Sequence, residues 1–251
     1  MWHRTLVITQ EITSGLKEID VKQDKLTAFV HLSKGLIEMG PTYLDAYVRE
    51  VLKEALAYGL EDGIINGNGV NCPVGMNRDI HDGVSFNTST GYPEKTPVTL
   101  KSFSPKDYGA VVAKLAKTEK GNDRAFNSVI LITNMTDYLT KVMPASTVMN
   151  ASGGYVKDVF PFATETMTSA AVASGKAIIG IPEEYYLLAG GSKDGVIEFS
   201  DDYKFLEDMR TYKIKQYAAG RAYDDTCFIV VDISKLEEAY LLVKNVAEVT
   251  A

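Results

Sequence analysis

Hydrophobic and polar positions recur along this chain with two periods, and each change of period marks an element. From Pro41 to Asp62, Leu44, Tyr47, Val48, Val51, Leu52, Ala55, Leu56 and Leu60 follow spacings of three and four, one apolar stripe on a helix. Gly40-Pro41 opens it, because proline suits the first helical position, where its missing N–H costs nothing. At 1.5 Å per residue this helix is about 33 Å long. Leu26–Leu32 reads as a strand that is β-rich on one face. Val129–Ile132 and Ala177–Ile181 are short continuous apolar runs, the mark of buried strands. Val196–Phe199 starts a new strand section. Met209–Ala219 alternates, with Tyr212, Ile214 and Gln216 on one face and Thr211, Lys213 and Lys215 on the other, a long strand with one wet face. Cys227–Val231 has the composition of a central strand.

Punctuation residues set the remaining boundaries. Ser104 caps a second helix with Pro105 first, Tyr108, Val111, Val112 and Leu115 on its apolar face, and Gly121 at its end. Asn134 caps a third helix that Pro144 stops. Ser234-Lys235-Leu236-Glu237 has the form of a capping box and opens a final helix with Leu236, Ala239, Tyr240 and Val243 on one face. Residues 81–99 form a polar surface excursion. Residues 145–175 are small and polar, with weak strand signals around Tyr155–Phe160. Residues 1–25 read as a projecting hairpin of two short strands, Leu6–Thr9 and Ile19–Lys22. The long helix ends in Asn66-Gly67-Asn68-Gly69. Glycine and asparagine tolerate left-handed backbone angles, so a sharp turn is predicted there. Valine at Gly67 and Gly69 would then cost roughly 1 kcal/mol or more per site.

Composition narrows the function classes. The 251 residues are 45% hydrophobic and 24% charged, ordinary for a globular protein with a real core. A net charge of −7 argues against gripping DNA through its phosphates as the main task. Two distant cysteines, Cys72 and Cys227, do not make a disulfide framework and are expected to be reduced. The first five residues lack the apolar run of a signal peptide, and no stretch is apolar enough to span a membrane. The three histidines, His3, His31 and His81, have no ligand spacing among themselves or with cysteine, so no metal site is expected. Asn66–Gly69 lacks the Gly-Lys-Ser/Thr of a phosphate loop and the acidic ligands of a calcium loop. Ala189–Ser192 reads as a turn and Glu183-Glu184 as a solvated loop or short helix. No catalytic or cofactor-binding residue emerges. Arg210, Lys213 and Lys215 form a basic cluster, either a solvated face or a contact with an acidic surface on a neighbouring subunit.

The order of elements resembles the major capsid proteins of tailed phages, with the HK97-like fold. The most specific block is Leu60 to Met76, with its Asp-Gly-Ile-Ile-Asn-Gly-Asn-Gly and a following Pro-x-Gly; Gly175–Gly180 is a weaker match. The resemblance implies an α+β fold. Residues 1–25 would belong to an extended loop lying over a neighbour, lacking the N-terminal arm that usually precedes it. Residues 26–66 and 196–222 would form a peripheral domain around a spine helix at 41–62. Residues 67–195 and 223–251 would form a mixed α/β axial domain. It further implies a structural homo-oligomer of pentamers and hexamers, not an enzyme and without cofactors. The subunit would be made in the bacterial host cytoplasm and reside in the virion capsid, away from membranes. Portal, scaffolding and decoration proteins are further partners the family offers, and packaged DNA would be met only non-specifically. Some members weld subunits through a lysine on the extended loop and an asparagine on the long peripheral strand, helped by a glutamate. Lys17 and Lys22 are available lysines, but Asp208 and Lys215 stand where the asparagine and glutamate should be, so no cross-linking is expected. An encapsulin-type compartment shell and a soluble α/β enzyme are the alternatives.

Overall fold

A computed structural model describes residues 24–149, 153–190 and 196–239. The chain runs β1 (Asp24–Ser33), α1 (Lys34–Met39), α2 (Pro41–Asn66), β2 (Val98–Thr99), α3 (Pro105–Val112) and β3 (Val129–Thr133). There follow a composite helix α4 at residues 135–146, β4 (Val148–Met149), β5 (Tyr155–Val156), β6 (Thr164–Thr168) and β7 (Lys176–Gly180). Then come β8 (Tyr185–Gly190), β9 (Val196–Lys204), β10 (Met209–Ala222) and β11 (Phe228–Asp232). The predicted N-terminal hairpin, with Lys17 and Lys22, lies outside the described residues, as do Gly191 to Gly195.

Two sheets organise these elements. In the first, β1 pairs antiparallel with β10 along its whole length, from Asp24 opposite Ala218 to Ser33 opposite Met209. The other edge of β10 carries β9 toward one end and β8 toward the other. Leu26, Ala28, Val30 and Leu32 turn one face of β1 toward α2, whose Val48, Leu52 and Leu56 bury against them and against Tyr212 and Ile214. Helix α2 is 26 residues long, four beyond the predicted end, and spans about 39 Å. The short α1 before it was not predicted, nor was β8. A boundary at 195/196 therefore separates β8 from the sheet whose hydrogen bonds it shares.

The second sheet has the order β2-β11-β7-β3-β6. Apart from the end residues Thr133, Lys176 and Asp232, its central strands β3, β7 and β11 are apolar because both faces are covered. Val129 and Leu131 face a core with Tyr108, Val111 and Leu115 from α3 and its 3-10 extension, Ala113–Ala116. Ile130 and Ile132 face the other way, toward Met76, Ile80 and Ile65 of the α2 terminus. The spine helix therefore ends inside the core of the second sheet. Ser104 caps α3 as predicted, accepting from the Asp107 N–H, but helical structure stops at Ala116 and Gly121 sits in a tight turn at φ 82°.

One predicted helix is corrected, and so is the predicted start of the final one, whose Tyr240 and Val243 lie outside the described residues. Pro144 does not stop α4; it lies in the last turn, Met143–Ser146. The helix widens beforehand into a π turn, with the Met143 N–H reaching the Tyr138 carbonyl, one way a helix absorbs a ring and a missing donor. Nor does a helix start at Leu236 among the described residues. The Glu237 and Ala239 N–H groups donate to the Lys101 and Pro144 carbonyls instead, so tertiary contacts claim the donors that a capping box would hold.

Asp137 ties α4 to the turn before β7. It is 3% exposed and accepts from Lys141 Nζ at 2.6 Å and from the Gly175 N–H at 2.7 Å. Burial alone would raise its pKa, but the Lys141 and Gly175 bonds outweigh this and hold it below the usual aspartate value. The resulting stabilisation is complete above the unfolded aspartate pKa and is lost as pH falls through the lower folded one. Asp137→Asn is expected to cost roughly 1–3 kcal/mol at neutral pH and to shrink the further loss on acidification. Urea midpoints at neutral pH and at about pH 3, below the ordinary aspartate value, read both effects. Equal acid losses in the two proteins would rule Asp137 out as the source.

Candidate functional site

The end of α2 is built so that no terminal carbonyl is left unpaired, the usual difficulty of a helix end buried in a core. The Gly63 carbonyl accepts from Gly67 N, Ile64 from Met76 N and Ile65 from Asn77 N. The Asn66 carbonyl takes the Arg78 guanidinium, with Nη2 at 2.6 Å. The Asn66 side chain donates to Asp62 Oδ1 and the Ala171 carbonyl and accepts from Asn77 Nδ2. Asn68 Oδ1 accepts from Val70 N and Cys72 Sγ. The chain then returns along the helix end, with the Gly75 N–H on the Gly67 carbonyl and the Val74 N–H on the Gly220 carbonyl of β10.

The two glycines of this turn have different reasons. Gly69 is left-handed, at φ 81°. Gly67, expected to be left-handed too, has φ −53° and ψ 134°, angles any residue adopts. Its constraint is space, because a Cβ there would lie 2.1 Å from the Pro73 carbonyl oxygen and 2.4 Å from that of Gly63. Gly40 links α1 to α2, and Pro41 is the first residue of α2, as predicted from the sequence.

The face of the first sheet turned away from α2 carries exposed aromatic rings. Phe29 on β1 is 66% exposed and Tyr203 on β9 is 73% exposed. His31 stands between them, stacked on Tyr203 at 5.9 Å and tilted against Phe29 at 5.4 Å, with its Nδ1 2.8 Å from Thr211 Oγ1. These rings, with Thr211, Ser200 and Lys213, line an open groove of about 430 Å³. The hairpin joining β9 to β10 carries Phe205 and Leu206, the latter 99% exposed. Lys34 Nζ lies 5.4 Å from the Phe205 ring centre. Sequence reading missed this surface, although Thr27-Ala28-Phe29-Val30-His31 holds a faint signal: the outward positions of a half-wet strand are aromatic.

The basic residues are paired within the chain. Arg210 donates twice to Asp201, at 2.6 and 2.9 Å, and Glu198 sits between Lys215 and Lys213, the latter at 3.1 Å. The Arg210 bonds hold Asp201 below the usual carboxylate range, and those from Lys215 and Lys213 do the same for Glu198. The acids that these cations meet here are those of β9. Asp208 is left-handed at φ 52° and its carbonyl accepts from the Lys34 N–H. Seven residues of strand, about 23 Å, separate it from Lys215, so the two form no common site within one chain. Among the described residues no group of three His, Cys, Asp or Glu side chains could hold a metal ion, and no helix is long and apolar enough to cross a membrane. What this surface offers is apolar contact area with a paired-charge border, which is the chemistry of association.

Comparison with known proteins agrees with that character. Residues 4–153 match the profile of the phage capsid family. No curated protein matches the chain. Among solved structures, the capsid of an empty GTA particle is similar at 11% identity, with a TM-score of 0.57 over 93% of this chain and 80% of the other. Gordonia phage Cozz gives 13% identity and a TM-score of 0.54 over 87% and 71%. The holo-SrpI encapsulin complex of Synechococcus elongatus PCC 7942 gives 13% and 0.52 over 87% and 78%. At these identities the likeness is one of fold.

Proposed function

Since this chain belongs to the phage capsid family, we propose that its copies tile the icosahedral shell of a tailed phage or prophage around packaged double-stranded DNA. Its role is structural, and we assign it no catalytic step. The observation that carries the reading is the exposed aromatic face and hairpin of the first sheet. Phe29, Tyr203, Phe205 and Leu206 offer apolar surface on a rigid sheet backed by α2, and such surface on a soluble subunit marks a contact with another molecule. Symmetry repeats that contact over every copy, as pentamers and hexamers require.

In this reading the first sheet and α2 form the peripheral domain, with β8 included, and the second sheet and its helices form the axial domain. The residues ahead of β1 in a neighbouring copy would lie over this subunit as the extended loop, since Asp24 and Lys25 already pair with β10. The net charge of −7 suits a container that must hold DNA without adhering to it. Portal, scaffolding and decoration proteins are the remaining partners, and the host cytoplasm is where the subunit is made. The encapsulin likeness supports a shell equally well; the phage capsid profile favours the virion.

Electron microscopy of the expressed full chain is the test, with denaturing gels of the same particles. Closed shells or ring-shaped capsomers are expected, running as single subunits on the gel, because Asp208 and Lys215 are unsuited to an isopeptide weld. Monomers alone at high concentration would overturn the shell, and a covalent ladder would overturn the absence of cross-linking.

A further inference from the structure

Two exposed helix faces, one on each sheet's helix, complement each other. On α2, Tyr43, Tyr47, Glu50, Glu54 and Tyr58 recur at spacings of four, three, four and four, which places them on one stripe. That stripe lies opposite the buried Val48, Leu52 and Leu56. All five side chains are exposed, Tyr43 at 80%; the helix's exposed cations, Arg49 and Lys53, flank the stripe rather than lie on it, and Arg49 is paired with Asp45. The stripe is about 22 Å long, aromatic and acidic, on a helix whose other side is fully committed to the sheet.

The second face belongs to α3 and its 3-10 extension. Tyr108, Val111, Val112 and Leu115 are buried in the second core. The opposite side exposes Lys106, Gly109, Ala110, Ala113, Lys114 and, just beyond, Lys117. It is smooth in the middle and basic at both ends. Two acids lie beside it: Asp107 is half-buried and accepts from Ser102 Oγ, and Asp123 pairs with Lys117 at 3.6 Å, which leaves Lys106 and Lys114 as the principal cations of the face. Gly109 gives the face its meaning. A glycine inside a helix is destabilising by roughly 0.5–1 kcal/mol relative to alanine. Nothing lies within 4 Å of where its Cβ would be, so this chain's own packing does not require it. A smooth helix face with open space above it suits the close approach of bulky groups from another molecule.

We propose that the tyrosine–glutamate stripe of α2 in one subunit docks on the lysine-flanked small face of α3 in a second copy. Tyrosine rings would lie over Gly109, Ala110 and Ala113, with Glu50 and Glu54 meeting Lys106, Lys114 or Lys117. The contact is heterologous, a different surface on each subunit, as contacts around a ring are. It rests on the shell reading, and it adds a second seam to the aromatic face. The charges set which faces meet, and the apolar overlap supplies the adhesion.

The test is site-specific cross-linking in co-expressed pairs of full-length chains, one of them tagged. One copy carries Tyr47→Cys, the other Ala110→Cys, both in a Cys72→Ser background. A short bismaleimide is expected to give the tagged–untagged heterodimer and little of either homodimer. Glu50→Lys with Glu54→Lys in the first copy should abolish the product. Adding Lys106→Glu, Lys114→Glu and Lys117→Glu to the second should restore it. Circular dichroism melts identify any variant that merely fails to fold, and Gly109→Gln, which keeps all charges, should also block the product. Tyr47→Cys homodimers alone, no linkage, or linkage indifferent to charge reversal would each overturn the proposal. Intact shells in micrographs of an unlinked sample would remove this contact and leave the shell reading standing.

Discussion

Gly67→Ala is expected to destabilise the protein by roughly 3 kcal/mol, more than any left-handed glycine of the same turn. A methyl group at this position would meet two carbonyl oxygens, at 2.1 and 2.4 Å, and neither can move freely. The Gly63 carbonyl is the last-turn acceptor for Gly67 N, and Pro73 belongs to the segment that returns along the helix end. Relief would push that segment away, and with it the Met76 and Asn77 N–H groups that satisfy the Ile64 and Ile65 carbonyls. Met76 and Ile65 also share a core cluster, so a local clash becomes a loss of packing between the spine helix and the second sheet. Gly69→Ala is expected to cost less, about 1–2 kcal/mol, chiefly for its left-handed angle. Against a typical total of about 5–15 kcal/mol, the first substitution endangers folding and the second does not. Denaturant midpoints of the two single variants give the order directly; a larger loss at Gly69 would refute the steric account.

The same pair of glycines shows where sequence reading stops. That the chain turns sharply at Asn66-Gly67-Asn68-Gly69 is legible, because glycine and asparagine tolerate such a turn, although the helix runs four residues past Asp62 to reach it. That one glycine serves an angle and the other a close approach is not legible, since the atoms in the way belong to Pro73 and to the preceding turn. Helix α2 and strands β1, β3, β7, β10 and β11 were readable because each has a commitment to one period or to full burial. Strand β8 was hidden behind Glu183-Glu184, and its six residues take their strand character from pairing with Tyr217–Ala222. Helix α1 is six residues long with Gly35 in its first turn, too short and too glycine-broken for a period to show. The final capping box matched its pattern and still lost, because Lys101 and Pro144 offered acceptors that no local rule can foresee.

The aromatic face was illegible for a different reason. His31 meets Thr211 across 180 residues of sequence, and Phe29, His31 and Tyr203 become one surface only through the register of β1 and β9 on β10. Each aromatic residue alone reads as an ordinary strand or turn position. Together they form an apolar surface that the described residues do not cover. The basic cluster shows the converse. Arg210, Lys213 and Lys215 looked available for a partner in sequence, and the pairing of β9 with β10 delivers Asp201 and Glu198 to them.

Phe29→Thr, Tyr203→Thr and Leu206→Ser combined are expected to abolish assembly while leaving the subunit folded. The three side chains are 66%, 73% and 99% exposed, so removing them takes little from the monomer; surface changes of this kind usually stay within about 0.5 kcal/mol. Threonine at the two strand positions also keeps β propensity. At an interface the sums differ. Burying one large apolar side chain is worth about 1.5–3 kcal/mol, so each lost anchor weakens its contact by roughly tenfold or more. Every subunit of a closed shell makes that contact, and the loss multiplies over the assembly. The charged border does not replace it, because Arg210, Lys213 and Lys215 already spend their charge on Asp201 and Glu198. Thermal melts should therefore superimpose on wild type while light scattering and electron microscopy show subunits without shells. Shells of normal yield from the triple variant would mean that the aromatic face is not where neighbours meet, and would shift the search for the principal contact to the helix faces of α2 and α3.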